Sequence, residues 1–118
     1  MPFIDLKYWL PIQQIMSGLP GTEEGISHGT PSFKVKKKFF LRLKEDGITL
    51  AIHTDDRDIW IEDDPDVFFV TAHYFNYPYV LVRLDKIKKA KLRTLIIQSW
   101  KEIAPKRLLE EYEQRKTK

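Results

Sequence analysis

Six basic side chains stand close together with no acid between them: Lys34, Lys36, Lys37, Lys38, Arg42 and Lys44. Such a run can neutralise phosphates, because each cation releases counterions from an anionic polymer. A second basic group follows in Arg83, Lys86, Lys88, Lys89, Lys91 and Arg93, then Lys101, Lys106 and Arg107. Between the two lie Asp55, Asp56, Asp58, Glu62, Asp63, Asp64 and Asp66, opposed only by Arg57. Carboxylates at this density can hold a hard cation, but the spacing is not that of a calcium loop. Helix capping and solvation account for them. The histidines are His28, His53 and His73, and no two have the i, i+4 spacing of a zinc helix. Cysteine is absent, which removes disulfides, thiolate metal sites and a thiol nucleophile together. Gly29-Thr30-Pro31 can form an amide concavity for an anion. It lacks the strand–loop–helix context and the Lys-Ser/Thr of a phosphate loop, so a turn set by Gly and Pro is the better reading. No constellation of nucleophile and base, paired carboxylates or metal ligands emerges. The expectation is a protein that is not an enzyme, with no cofactor and no metal.

The elements that must position these residues follow from periodicity. Leu6, Trp9, Ile12 and Met16 mark a helix from Asp5 to Ser17, in which Pro11 either kinks the helix or sits in its first turn. Ser32 to His53 reads as a β-meander. Phe33, Val35, Phe39, Leu41 and Leu43 lie on a buried face, with Lys34, Lys36, Arg42 and Lys44 on a wet one. Asp46-Gly47 signals a type I′ turn. Ile48, Leu50 and Ile52 then point inward, and Thr49, Ala51 and an exposed His53 point outward. Thr54 or Asp55 caps a short helix carrying Ile59 and Trp60, stopped by Pro65. The apolar runs Val67–Thr71 and Tyr79–Leu84 read as central strands. Asp85 caps a long helix to about Ile103, striped by Leu92, Leu95, Ile96, Ser99 and Trp100, and Pro105 opens a last helix through Leu108, Leu109 and Tyr112. Trp9, Trp60 and Trp100 read as core. Tyr74, Phe75, Tyr77 and Tyr79 flank a turn, where they serve base stacking or the packing of a sheet corner. The sum is an α+β domain with helices on one face of an antiparallel sheet and the other face partly open.

The chain has 118 residues, 42% of them hydrophobic and 31% charged, which excludes a disordered or low-complexity protein. One domain over 1–118 is expected, with a frayed polar tail at 114–118. No apolar run approaches a membrane span and no signal peptide is visible, so the expected location is cytoplasmic and away from membranes. The net charge of +3 conceals an asymmetry. Residues 1–64 carry 8 basic and 11 acidic groups, and residues 65–118 carry 12 and 6. Such a dipolar surface offers an anionic partner one face; solvated faces that cancel are the plainer account.

Leu19-Pro20-Gly21, Glu23-Glu24-Gly25 and Gly29-Thr30-Pro31-Ser32-Phe33-Lys34-Val35, followed by Lys38, resemble the signature region of the YjbR/MmcQ family. So do Asp64-Pro65 with Val67–Thr71, His73-Tyr74, Tyr77–Val82, Trp100 and Ala104–Leu108. The resemblance implies a CyaY-like fold and a double-wing DNA-binding motif, and supplies no catalytic residues. It marks His28, Gly29, Thr30, Pro31, His73 and Tyr74 as family-motif loops, where the imidazoles either contact a phosphate or anchor the backbone. Lys36-Lys37-Lys38 stands where the family often has a glycine-rich or polar turn, which favours anion binding over a tight turn. The expected function is DNA binding, tolerant of sequence, through Lys34, Lys36, Lys37, Lys38, Arg42, Lys44, Lys106 and Arg107. A protein-interaction or chaperone-like adaptor using the open sheet face is the alternative.

Overall fold

The structure, a computed structural model, describes residues 6–116. Asp5, where the first helix is expected to begin, and the last two residues of the expected frayed tail lie outside the described residues. A 3-10 turn over Leu6–Tyr8 leads into α1, Trp9–Met16. Pro11 falls in the first turn of α1, where its missing N–H has no helical acceptor to lose.

Six strands form one antiparallel sheet in the order β1-β2-β3-β4-β6-β5. They are β1 (Thr22–Ser27), β2 (Thr30–Val35), β3 (Lys38–Leu43), β4 (Thr49–His53), β5 (Phe68–Phe69) and β6 (Tyr79–Arg83). Between them runs α2 (Arg57–Asp63), and the chain ends in α3 (Lys89–Ile103) and α4 (Lys106–Lys116). No helix of the described residues is long and apolar enough to cross a membrane.

The helices and the inner sheet face enclose one core. Trp9, Ile12 and Met16 of α1 and Leu95, Ile96 and Trp100 of α3 meet Phe33, Leu41, Leu43, Leu50, Ile52, Val80 and Val82 of the sheet. Large side chains here are removed from water almost completely, at roughly 1.5–3 kcal/mol each.

Several expectations are corrected. The register of β2 against β3 shifts between Phe33 and Lys34, so Phe33 opposes Leu41 while Lys34 opposes Phe39. This bulge gives Phe40 to the core, where it is fully buried, and turns Phe39 to the outer face against Tyr79. Ile48 is exposed rather than inward. Strand β1 was not expected at all, and β5 is a two-residue edge strand rather than a central one. Helix α3 begins at Lys89, with Lys88 rather than Asp85 at its N-cap. The N-cap of α2 is Asp56, and Ile59 is exposed while Trp60 packs on Phe68.

The turns are also exchanged. At the β2–β3 connection Lys36 and Lys37 take φ of 48° and 74°. Two left-handed central residues define a type I′ turn, so the lysine connection is tight, contrary to expectation. At Asp46-Gly47 only Gly47 has positive φ. That loop closes with Lys44 N–H donating to the Thr49 carbonyl, and the Asp46 carboxylate accepts from the N–H groups of Ile48 and Thr49. A longer loop capped by a side chain thus replaces the two-residue turn.

Candidate functional site

Leu19-Pro20-Gly21 joins three elements at one end of the molecule. Trp100 Nε1 donates to the Pro20 carbonyl at 3.2 Å, and Lys36 N–H donates to the Gly21 carbonyl at 3.2 Å. Gly21 has φ of +76°, and a Cβ placed on it would lie 2.3 Å from Leu108 Cδ1. The positive φ favours glycine, and any Cβ here would also force the Leu108 side chain to shift. The lysine turn and the first turn of α4 are therefore neighbours across Gly21. Lys36, Lys37, Lys38, Lys106 and Arg107 are all exposed there. Among the described residues these five side chains form no ion pair.

The other cations expected to act with them are placed differently. Lys34 is exposed on β2 beside Phe39. Lys44 is half-buried, with Nζ 5.1 Å from the centre of the Tyr74 ring. Arg42 is not on a wet face: its side chain is only 9% exposed. It lies between Ser32 and Ala51 on the neighbouring strands, whose small side chains leave room for it on the outer sheet face. Its Nη1 donates to Thr30 Oγ1 at 2.9 Å and to Glu45 Oε1 at 3.1 Å. In the later basic group, Lys91 pairs with Asp63 and Arg83 stacks on Phe69.

The family-motif loops meet on the outer sheet face. His28 and Gly29 turn β1 into β2 with φ of 53° and 80°, another left-handed pair. Histidine is among the residues that tolerate this region, and Ser27 Oγ lies 3.2 Å from His28 Nδ1. Thr30 Oγ1 donates to the Ser27 carbonyl, which fixes the turn, and Pro31 follows in β2. A 3-10 turn over Ala72–Tyr74 crosses the same face and brings His73 edge-on to Tyr74. Together they bound a cleft of about 240 Å³, floored by Arg42, Phe39 and Tyr79 and walled by His28, Tyr74 and Tyr77. Burial, with a smaller contribution from Tyr74, pushes the Tyr79 phenol up to about 12. Spacing alone does not reveal this meeting, because the cleft draws on three separate stretches of chain, 27–28, 39–42 and 73–79.

Arg57 organises one wall. Its guanidinium donates to the carbonyls of Tyr74, Tyr77 and Phe75, at 3.1, 2.9 and 3.0 Å, and reaches that of Tyr79 at 3.4 Å. Phe75 lies under the same guanidinium at 5.5 Å.

His53 is half-buried rather than exposed. It lies beside Asp55 and Glu102, and one potential ligand atom from each falls within 4.8 Å of the others. The Asp55 N–H donates to Glu102 Oε1, so the cluster fastens the end of β4 to α3. His53 Nδ1 is buried without a hydrogen bond, 3.7 Å from Glu102 Oε1. Ion pairing would raise the histidine and lower the carboxyl, yet both move the other way. Burial lowers the His53 pKa against the pull of Asp55, with Lys38 acting in the same sense as burial, and burial raises that of Glu102, with the charges of Asp55 and Asp56 adding to it. A lowered histidine contributes stability that is lost as pH falls from about 6.5 through the folded value. His53→Gln is expected to flatten the decline in melting temperature between about pH 7 and pH 5. Parallel thermal melts of the two proteins measure this, and superimposable pH profiles would remove His53 as the cause.

The fold is an α+β open sheet with its helices on one face. The chain belongs to the YjbR family, whose model matches residues 17–102. Lys106 and Arg107 lie beyond the matched region. The uncharacterized proteins Rv2570 of Mycobacterium tuberculosis and Mb2600 of Mycobacterium bovis are each 30% identical over 121 residues, covering 88% of this chain and 94% of theirs. The crystal structure of Deinococcus radiodurans protein DR2400, which carries the DUF419 domain, is similar with a TM-score of 0.66. Its identity is 20%, over 86% of this chain and 84% of that one, and the likeness concerns the fold.

Proposed function

We propose that this protein binds nucleic acid without catalysis, through a basic end built from the lysine turn and the start of α4. The observation that supports this reading is the junction at Gly21, whose carbonyl accepts from Lys36 N–H and whose Cα faces Leu108, so that the lysine turn and the start of α4 meet at one glycine. Five exposed cations outside any ion pair support a phosphate-binding surface, with Lys38 also in electrostatic reach of His53 in its cluster with Asp55 and Glu102. Lys36 and Lys37 are held in left-handed backbone at a cost of about 1 kcal/mol or more each, the kind of strain that collects at functional sites. Base edges are not required, so binding is tolerant of sequence and sensitive to salt.

If all five cations meet phosphates, log affinity for duplex DNA falls against log salt with a slope of about −4.5. Fluorescence anisotropy of a labelled duplex at several salt concentrations measures it. Replacing Lys36, Lys37 and Lys38 by glutamate is expected to abolish binding at low salt. A second variant, Lys36→Asn with Lys37→Gly, suits the type I′ turn better and so stabilises the fold while removing two cations. It is expected to reduce the slope by about 1.8. Unchanged affinity in both variants, or no binding by the parent protein at low salt, would overturn the reading.

A further inference from the structure

The outer-face cleft adjoins the lysine turn at Phe39, which follows Lys38, but phosphate contacts do not explain its aromatic lining. Its floor contains a charged side chain nine-tenths buried, Arg42. A buried cation needs compensation. The structure supplies a hydroxyl, Thr30, and one carboxylate, Glu45, whose side chain is 61% exposed in the β3–β4 loop. Both meet Nη1, which leaves the Nε and Nη2 donors without a protein acceptor. None of the residues lining the cleft is acidic, and Lys44 stands behind Tyr74. Glu45 and Asp46 balance Arg42 and Lys44 from the β3–β4 loop, outside the cleft, so the free donors of the guanidinium are left to a lining without carboxylates.

The remaining surface is aromatic. Phe39 and Tyr79 lie 5.7 Å apart, and Tyr74 and Tyr79 6.0 Å apart, centre to centre, both pairs tilted. Tyr77 is 59% exposed and borders the opening, and His28 faces it from the strained β1–β2 turn. Such walls accept a flat ring between faces and edges. The free edge of a guanidinium suits a planar two-oxygen anion. About 240 Å³ accommodates one ring with one acidic group, and not a dinucleotide.

We infer that this cleft is a binding site for a small aromatic carboxylic acid, whose carboxylate pairs with Arg42 and whose ring packs among Phe39, Tyr74, Tyr77 and Tyr79. The inference does not rest on nucleic-acid binding by the lysine turn and α4.

The test is a titration of the ¹⁵N-labelled protein, followed by amide shifts, with three probes: 4-hydroxybenzoate, 4-hydroxybenzamide and acetate. The acid alone is expected to saturate in the micromolar to low-millimolar range, with shifts centred on residues 27–30, 39–42 and 73–79. The neutral amide lacks the charge and acetate lacks the ring, so neither is expected to saturate. Arg42→Lys keeps the charge and loses the fork, and is expected to weaken the acid at least tenfold. Tyr77→Ala removes an exposed ring that supports no core and is also expected to weaken it. Both variants are expected to bind duplex DNA as the parent does, and the Lys36→Asn, Lys37→Gly variant, which leaves Lys38 beside Phe39 in place, to bind the acid as the parent does. The inference is overturned if the acid does not saturate, if the amide binds equally well, or if neither variant changes the acid's affinity.

Discussion

Replacing Trp100 by alanine will cost about 4 kcal/mol of folding stability, the largest effect expected of any single substitution in this chain. The indole is fully buried in α3 and packs on Tyr112 of α4 at 5.2 Å between ring centres. Truncation leaves a cavity that the sheet and two helices cannot both collapse into. It also leaves the Pro20 carbonyl without its donor. Trp100→Phe separates these terms, because it keeps most of the packing and loses the hydrogen bond; about 1–2 kcal/mol is expected. Urea unfolding at equilibrium measures both. The consequence extends to the basic end, since Pro20 precedes the glycine on which Lys36 and Leu108 converge. Loss of the indole should therefore weaken DNA binding even at temperatures where the variant remains folded. If Trp100→Ala unfolds with a midpoint close to the parent's, the junction does not depend on the indole.

The difference between what the sequence makes legible and what it hides follows from how each residue is used. The meander from Ser32 to His53 was readable because its strands bury one face, and burial writes a period of two into the residue types. Strand β1 was not, because Glu23, Glu24, Gly25 and Ile26 are all exposed at the sheet edge and no alternation is selected. Its existence comes from pairing with β2, which is a property of two segments. The exchange of Phe39 and Phe40 was hidden for a related reason. Both are aromatic, so the pattern reads equally well in either register until the bulge decides. Arg42 read as a wet-face cation because its neighbours in sequence alternate correctly. Its burial depends on Ser32 and Ala51, which become its neighbours only across strands. Composition hides the tightness of the lysine turn. Lysines in left-handed backbone are uncommon, and the closure at Gly21 that holds one of them is set by residues distant in the chain. The candidate cleft was half legible. The resemblance marked its loops at His28 and His73, while periodicity said nothing of their meeting.

Arg57 shows how much a site can depend on a residue that no motif announces. Its hydrogen bonds go to backbone carbonyls, which have no residue identity, so the sequence contains no partner to recognise. By position it was the one cation within an acidic run, and its contact with Asp58 is long, at 3.9 Å. Its principal work is across the fold, where one planar group ties the carbonyls of Tyr74, Phe75, Tyr77 and Tyr79. Three of these carbonyls gather on Nη1 and that of Phe75 is met by Nη2, so a lysine ammonium placed at Nη1 loses the Phe75 contact and the planar stacking on its ring. Arg57→Ala and Arg57→Lys are both expected to cost about 2 kcal/mol or more, through carbonyls that lose charged donors and a loop that gains freedom. In a domain of this size that corresponds to a fall in melting temperature of roughly 6–10 °C. The functional effect should be larger than the global one, because the same loop presents Tyr74, Tyr77 and Tyr79 to the outer-face cleft. Hydrogen exchange provides the decisive contrast. In either variant the amides of 74–79 are expected to lose protection before those of β3 and β4, whose ladder does not involve Arg57. A uniform loss across the sheet would mean that Arg57 supports the whole fold rather than this wall. Retained binding of 4-hydroxybenzoate in a variant whose loop has opened would separate the cleft from the loop altogether.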